Sequence, residues 1–547
     1  MASLLNQKSI ITVDDNTCIG CNACVRACPV KAISTKLKEG TKDEFIASVI
    51  SKRCIQCGEC VKVCEHHARG FIDDSEEFFN NLNEKPMHII VAPSIKTAFK
   101  NWKSILKWLQ KLGHKIYDVS YGADICTWAH LQSIADGTQS KIISQPCPAI
   151  VSYIEKYQPD LISSLSQVHS PASCLAVYLK TYQNINEKIY LLSPCIAKKV
   201  EADKYHTFDY NVTYNRLKKY INSHDIVFYS DDFEFDMIPG VLGTLYPRPG
   251  GLKDNLLAHN PRLVIRTAEG IAAYERIKRY SSVDVTNRPD VLDCLNCRFG
   301  CCEGTASTGN DLSYIEATMD KLETDANADR GHFIFKDKIM KDFNKKLNYS
   351  DFLTSYTKES IEESTFTEEE INEQFNKMLK TTPESRSIDC HACGYTSCKE
   401  MCEAILEKHN VKENCVYFMK NQLKADLKEN QKLQEQLKSD FEKSSQDFSS
   451  LIEKLSSIDT VPESSESAKN LEYINKLISV LNNYKEEIKN EMPSDSKELS
   501  AMFDQILTIL ESIKSSMNNS HNKETAFSDK WKEIKELTEK AKDALKK

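Results

Sequence analysis

The chain has 547 residues, 41% hydrophobic and 27% charged, enough to bury several cores, so three or four folded units are expected. Its net charge of −8 and pI near 6.0 give no electrostatic case for nucleic acid or an anionic membrane, both of which reward a basic face. There are 21 cysteines, no basic start followed by a long apolar run, and no stretch of about 18 or more apolar residues. A cytoplasmic protein without a membrane span is therefore expected, its thiols kept free for metals and redox work rather than paired as disulfides.

Near the N-terminus, 18-CIGCNACVRACP-29 is followed by 54-CIQCGECVKVC-64. In each, three cysteines at three-residue intervals precede a fourth, the spacing of bacterial two-cluster ferredoxins, whose fourth cysteine ligates the other cluster. That resemblance implies one [4Fe–4S] cluster on Cys18, Cys21, Cys24 and Cys64 and a second on Cys54, Cys57, Cys60 and Cys28, in a ferredoxin-like domain over 1–80. Gly20 and Gly58 let the backbone fold tightly, Pro29 ends the first loop, and Glu65 stands where proline is usual in the second. Zinc also takes paired C-x-x-C elements, but a repeated four-cysteine run suits two exchanged clusters better.

Residues 87 to about 370 alternate between strand and helix patterns. A buried strand is expected over 88–94, then an amphipathic helix over 95–113 with Phe99, Trp102, Ile105, Leu106, Leu109 and Leu112 on its apolar face and Gly113 at its end. A strand over 115–120 follows. The apolar runs 141–151 and 189–199 place Cys147 and Cys195, each beside a proline, where strands should end. In open α/β sheets that edge is where ligands bind. Farther on, 290-DVLDCLNCRFGCCEGTAS-307 crowds Cys294, Cys297, Cys301 and Cys302 together.

The segments 146-PCPA-149, 193-SPCIAKK-199 and 297-CRFGC-301 resemble, in order, the three signatures of the [FeFe]-hydrogenase catalytic domain. With the ferredoxin-like part the resemblance covers about residues 15 to 370. It implies a two-lobed α/β domain over 85–370 that holds an H-cluster. Cys147, Cys195, Cys297 and Cys301 would hold its [4Fe–4S] part, and Cys301 would bridge to a two-iron subsite carrying CO, cyanide and a dithiolate. Further implied site residues are Lys198, which would hold a diatomic ligand, and Pro93 and Ser94, whose backbone would approach a cyanide. The unassigned Cys126, Cys174, Cys294, Cys302 and Cys402 read as buried small hydrophobes, Cys302 being the candidate exception.

The departures carry equal weight. Pro146 stands where catalytic members place a proton-passing thiol, and 123-ADICTWAHLQS-133 lacks their relay glutamates. Ser193 and Leu295 replace the flanking methionines, and 302-CEGTAS-307 replaces a glycine run. A proton path needs donors and acceptors within hydrogen-bond reach, so fast turnover through the usual relay is not expected. Cys302, His130 and Glu303 are the candidate substitutes. These losses are similar to those of the family's sensory branch, which adds a four-cysteine domain and commonly ends in a signalling module.

Such a module follows. The segment 390-CHACGYTSCKEMCEAILEKHNVKENC-415 resembles a small iron–sulfur domain, which implies a further [4Fe–4S] cluster on Cys390, Cys393, Cys398 and Cys415 within 378–418. Cys402, one helical turn after Cys398, reads as packing, with a ligand role as the alternative. Over 419–547 a heptad-like seam runs from Leu423 through Leu427, Leu437, Phe441, Phe448, Leu451 and Leu455 to Ile458, the pattern of a coiled coil or long amphipathic helix. Further helices are expected around 468–490, 496–516 and 527–546, as a helical bundle or a stalk through which a homodimer forms. No P-loop or dinucleotide fingerprint supports a nucleotide cofactor.

The expected function is slow hydrogen activation, or hydrogen and redox sensing, with electron transfer through several [4Fe–4S] clusters. The alternatives are a ferredoxin-linked catalytic hydrogenase, and a non-catalytic electron-transfer or assembly protein without the two-iron subsite. The expected partners are molecular hydrogen, protons, and a redox partner such as ferredoxin or a signalling protein.

Overall fold

Short strands frame the N-terminal cysteine loops: β1 (Ile11–Val13), β2 (Ile33–Leu37), β3 (Phe45–Val49) and β4 (Arg69–Phe71). β1 pairs antiparallel with β4 and β2 with β3, the two loops lying between the paired strands in sequence. The computed structural model describes residues 9–329, 333–362, 364–456, 467–491, 496–518, 529–530, 532–537 and 540. It divides into two units, Met1–Met419 and Lys420–Lys547.

The central part of the first unit contains two parallel sheets. β5 (His88–Val91), β6 (Lys115–Asp118), β7 (Ile142–Ile143), β8 (Ile189–Ser193), β9 (Tyr210–Thr213), β10 (Ile265–Glu269) and β11 (Val291–Leu295) form one sheet of order 6-5-8-9 and another of order 10-11-7. β8 and β11 are buried at every residue, as parallel strands covered on both faces must be. Their C-terminal ends therefore deliver chain into the interior.

The strands are shorter than their apolar runs, and helices start within them or soon after. The Asp118 carboxylate accepts from Ser120 N (2.8 Å) and caps the helix Val119–Ala135, so the strand expected to reach residue 120 ends at 118. Pro148 opens the helix Pro148–Tyr157 immediately after Cys147. The helix expected over 95–113 is two helices, Ile95–Ala98 and Trp102–Lys111. Asn310 Nδ2 occupies the Thr97 and Ala98 carbonyls (2.7 and 2.6 Å), Thr308 Oγ1 also donates to Ala98 O, and Phe99 turns extended.

The four-cysteine segment packs on the N-terminal strands. Thr35 N donates to His409 O (2.9 Å), Lys31 Nζ to Gly394 O (3.1 Å), and Arg53 meets both oxygens of Glu407. One apolar core joins Val25 and Ile33 with Tyr395, Met401 and Cys402.

In the second unit, helices Ser467–Glu491 and Ser496–Asn518 pack through Ile474, Leu477, Leu481, Phe503, Ile506 and Leu510, near the expected positions. The helix Val416–Ser456 carries the heptad-like seam, with Leu423, Leu427 and Leu437 exposed. Ile458 and most of the helix expected over 527–546 lie outside the described residues. Among the described residues no helix is long and apolar enough to cross a membrane.

Candidate functional site

Four segments end at one cavity. β5 leads into Pro93 and Ser94, β8 into Cys195, β7 into Cys147, and β11 into Cys297 and Cys301, so the cavity lies at the C-terminal edges of both parallel sheets. It measures about 90 Å³, where a single water needs about 10–15 Å³, so it is a ligand-sized void rather than a packing defect. Gly300 makes the turn between the last two cysteines. Its φ is +61°, and a Cβ there would lie 2.3 Å from the Pro247 carbonyl oxygen.

The structure brings Cys147, Cys195, Cys297, Cys301, Lys198, Pro93 and Ser94 together on this wall. Burial raises the pKa of all four thiols, Cys195 to about 12, and crowding by one another raises those of Cys195, Cys297 and Cys301 further. Four thiols converging on one cavity are the donor set that an iron–sulfur cluster accepts. Ser94 Oγ is buried without a well-formed hydrogen bond, while its neighbour Tyr214 donates instead to the Ala92 carbonyl (2.7 Å). A hydroxyl held this loosely at the wall fits a ligand that accepts.

Burial disfavours the Lys198 ammonium, but Glu201 outweighs that cost and the lysine pKa rises. Nζ donates to Glu201 Oε2 (2.5 Å) and Ser170 Oγ (2.9 Å). Glu201 Oε1 in turn accepts from Ser170 and from Ser173 (2.8 Å), and Ser173 Oγ meets half-buried Thr207 Oγ1 at 2.7 Å. Pro146 and Leu295 complete the wall with apolar surface.

The candidate relay substitutes stand elsewhere. Cys302 faces a separate pocket of about 10 Å³, Glu303 pairs with Lys62 (3.2 Å), and His130 is buried with Nε2 against Ser166 Oγ (2.9 Å). None of the three lines the central cavity. Cys126, Cys174, Cys294, Cys302 and Cys402 are all buried.

Among the N-terminal cysteines, Cys24 has Cys18 and Cys21 as near neighbours, whereas Cys57 has Cys28, Cys60 and Cys54. Burial pushes the Cys28 thiol up to about 11. Cys64 is half-buried after the second loop. Cys57 also reaches the central cavity: Thr305 Oγ1 donates to Cys57 O (3.0 Å) and Asn296 Nδ2 to Glu59 Oε1 (3.0 Å). A third cleft is lined by Cys390, Cys393, Cys398, Cys415 and buried Lys380; Cys402 does not line it, its Sγ lying 3.6 Å from Sδ of Met378, which does. Among the described residues no three His, Cys, Asp or Glu side chains meet closely enough to hold a single metal ion. A four-iron cluster takes one thiolate per iron, so its cysteines line a cage instead.

Residues 85–320 match the family of iron only hydrogenase large subunits, C-terminal domain, and residues 17–68 match the 4Fe-4S dicluster domain. The chain is [FeFe]-hydrogenase-like. It is 29% identical over 216 residues to the periplasmic [Fe] hydrogenase large subunit of Nitratidesulfovibrio vulgaris, a match covering 35% of this chain and 51% of that protein. It is 30% identical over 119 residues to the cytosolic Fe-S cluster assembly factor NAR1 of Yarrowia lipolytica, covering 20% of this chain and 24% of that one. The chain thus spans about half the length of the hydrogenase subunit and a quarter of the assembly factor. Among solved structures, HydA(deltaEFG) and variants of [FeFe]-hydrogenase HydA1 from Chlamydomonas reinhardtii align at 15–16% identity and TM-score 0.41, over 53% of this chain and all of theirs.

The sequence reading of this hydrogenase-like chain missed Glu201, Ser170 and Ser173 behind Lys198, and Cys57 at the cavity. Glu201 was discoverable, since it lies three residues after Lys198 at the start of a helix, the spacing of a same-face ion pair. The contact of Cys57 with the cavity has no local signal.

Proposed function

We propose that this [FeFe]-hydrogenase-like protein activates hydrogen slowly or senses it, passing electrons to its iron–sulfur clusters. The observation that carries this reading is the set of four cavity-lining thiols, the buried Ser94 hydroxyl and the Glu201-anchored Lys198 around one cavity whose remaining wall includes Pro146. When bound, an H-cluster supplies the hydrogen-splitting chemistry and the storage of electrons.

The chain's own residues supply cage, donors and wiring. Cys147, Cys195, Cys297 and Cys301 would hold the [4Fe–4S] part and Cys301 would bridge to the two-iron subsite, with Lys198 Nζ and the Pro93-Ser94 segment offered to its diatomic ligands. Glu201 and Ser170 fix Lys198. Pro146 and Leu295 provide neither donor nor acceptor side chain, so proton movement shifts to the hydrogen-bonded lane Lys198–Glu201–Ser173–Thr207, which runs from the wall to half-buried Thr207. Cys54, Cys57, Cys60 and Cys28 would hold the cluster nearest the cavity, Cys18, Cys21, Cys24 and Cys64 the second, and Cys390, Cys393, Cys398 and Cys415 a third, in a module docked on the ferredoxin-type domain. The domains are proposed as 1–80, 85–370, 378–418 and 419–547, the last a helical output or dimerisation region. Hydrogen and protons are the proposed substrates, a ferredoxin or signalling protein the redox partner, and the cytoplasm, where so many thiols stay reduced, the location.

The likeness to an Fe-S cluster assembly factor favours a second reading, in which the cavity holds iron–sulfur only and catalyses nothing. Infrared spectroscopy of protein matured with the two-iron cofactor separates the two. CO and cyanide bands that shift under hydrogen are expected. Intact iron–sulfur clusters without such bands would sink the hydrogen reading and leave the second.

A further inference from the structure

The two N-terminal cysteine loops are halves of a repeat, and one buried position differs in charge between them. Cys28-Pro29-Val30-Lys31-Ala32-Ile33 matches Cys64-Glu65-His66-His67-Ala68-Arg69, which sets Arg69 opposite Ile33. Ile33 is 2% exposed and belongs to the core; Arg69, at the start of β4, is 6% exposed. A guanidinium in an apolar residue's place is costly unless negative charge meets it.

That charge is sulfur. Arg69 Nη2 donates to Cys24 Sγ at 3.0 Å. Nη1 is buried with no partner, so a second donor stays available on the same guanidinium.

We propose that Arg69 is the built-in counter-charge of the cluster held by Cys18, Cys21, Cys24 and Cys64, and that it makes this the more easily reduced of the two ferredoxin-type clusters. The inference rests on the proposed ligand sets. Reduction adds one negative charge to a cluster, and a cation donating to a ligand sulfur stabilises the added charge. Arg69 donates to a sulfur of this set and to none of the other, so the effect there is smaller. Because Cys57 is at the central cavity, an electron leaving the cavity enters the Cys54–Cys60 cluster first and is drawn onward to the Cys24 cluster. Arg69 acts through Cys24 and is a positioning residue, not a catalytic one.

The test is potentiometric titration of the full iron-loaded chain, followed by electron paramagnetic resonance, for wild type, Arg69→Ile, Arg69→Lys and Cys21→Ser. Arg69→Ile restores the residue type of the first half-repeat. Cys21→Ser identifies the signal of the Cys24 cluster. That signal should lose about tenfold in its reduced-to-oxidised ratio at fixed potential in Arg69→Ile, ~59 mV for a one-electron couple, with smaller change elsewhere and near-native behaviour in Arg69→Lys. Unshifted midpoints with full iron in Arg69→Ile overturn the proposal, as does a larger shift of the other cluster. If Arg69→Ile loses iron, Arg69→Lys decides: full iron at the native midpoint upholds the counter-charge, and loss of iron in both assigns Arg69 to packing and overturns it. Cys21→Ser that removes neither iron nor signal instead overturns the ligand sets on which the inference stands.

Discussion

Replacing Arg53 by alanine should undock the four-cysteine module from the N-terminal strands. Arg53 meets the two Glu407 oxygens at 3.0 and 2.6 Å, with the side chains 19% and 12% exposed. Breaking a fully buried ion pair by removing one partner costs about 3–5 kcal/mol. Partial exposure and the remaining His409 ring, 2.9 Å from Glu407, lower the expected cost to about 2–3 kcal/mol. That is roughly a 30- to 150-fold rise in the opening equilibrium. The Thr35 amide, which donates across the junction to His409 O, reports it directly by native-state hydrogen exchange. Burial opposes the Glu407 carboxylate, yet Arg53 outweighs it and the folded pKa lies below the ordinary glutamate value. The pair therefore contributes fully above the unfolded glutamate pKa and fades as pH falls through the lowered folded one. Wild-type Thr35 exchange should accelerate in that acid window and Arg53→Ala exchange much less. Exchange in Arg53→Ala within about twofold of wild type at neutral pH would refute the argument.

Three further outcomes are expected. Cys402→Ala should keep the module's iron and cost about 1–2 kcal/mol of stability, because Cys402 is buried against Met378 outside the cleft, whereas Cys398→Ala should lose about four irons per chain by iron analysis. Gly300→Ala should abolish iron at the central cavity, since φ is +61° and the added Cβ meets the Pro247 carbonyl oxygen at 2.3 Å. Gly113→Ala, with φ of +95° but open space around it, should cost only about 1–2 kcal/mol by thermal unfolding. Ser173→Ala severs Glu201 from Thr207 and should slow hydrogen–deuterium scrambling by about 10² or more while leaving the CO and cyanide bands in place. Scrambling at the wild-type rate would exclude this lane.

Much of the site is legible because its information is local. Ligand spacing within a loop fixes which cysteines can share a cluster, so the C-x-x-C-x-x-C runs and 297-CRFGC-301 stand out without coordinates. Apolar runs ending at Cys147 and Cys195 mark strand edges for the same reason, although the strands stop early, one of them at Asp118, which caps the next helix. Pro146 in place of a thiol is likewise plain in the sequence. The broken helix at Phe99 is not, because Asn310, more than 200 residues away, supplies the bonds that replace the helical ones.

What the sequence by itself offers is therefore the inventory of candidates: which thiols, which lysine, which missing relay. Only the tertiary structure decided that Cys57 touches the central cavity, that Glu201 and two serines stand behind Lys198, and that Arg69 rather than an apolar residue faces Cys24. The physical reason is the range of the interactions. Cluster spacing and capping act over a few neighbouring residues, whereas the partners of a buried charge are whatever distant segments fold against it, and no local pattern encodes them.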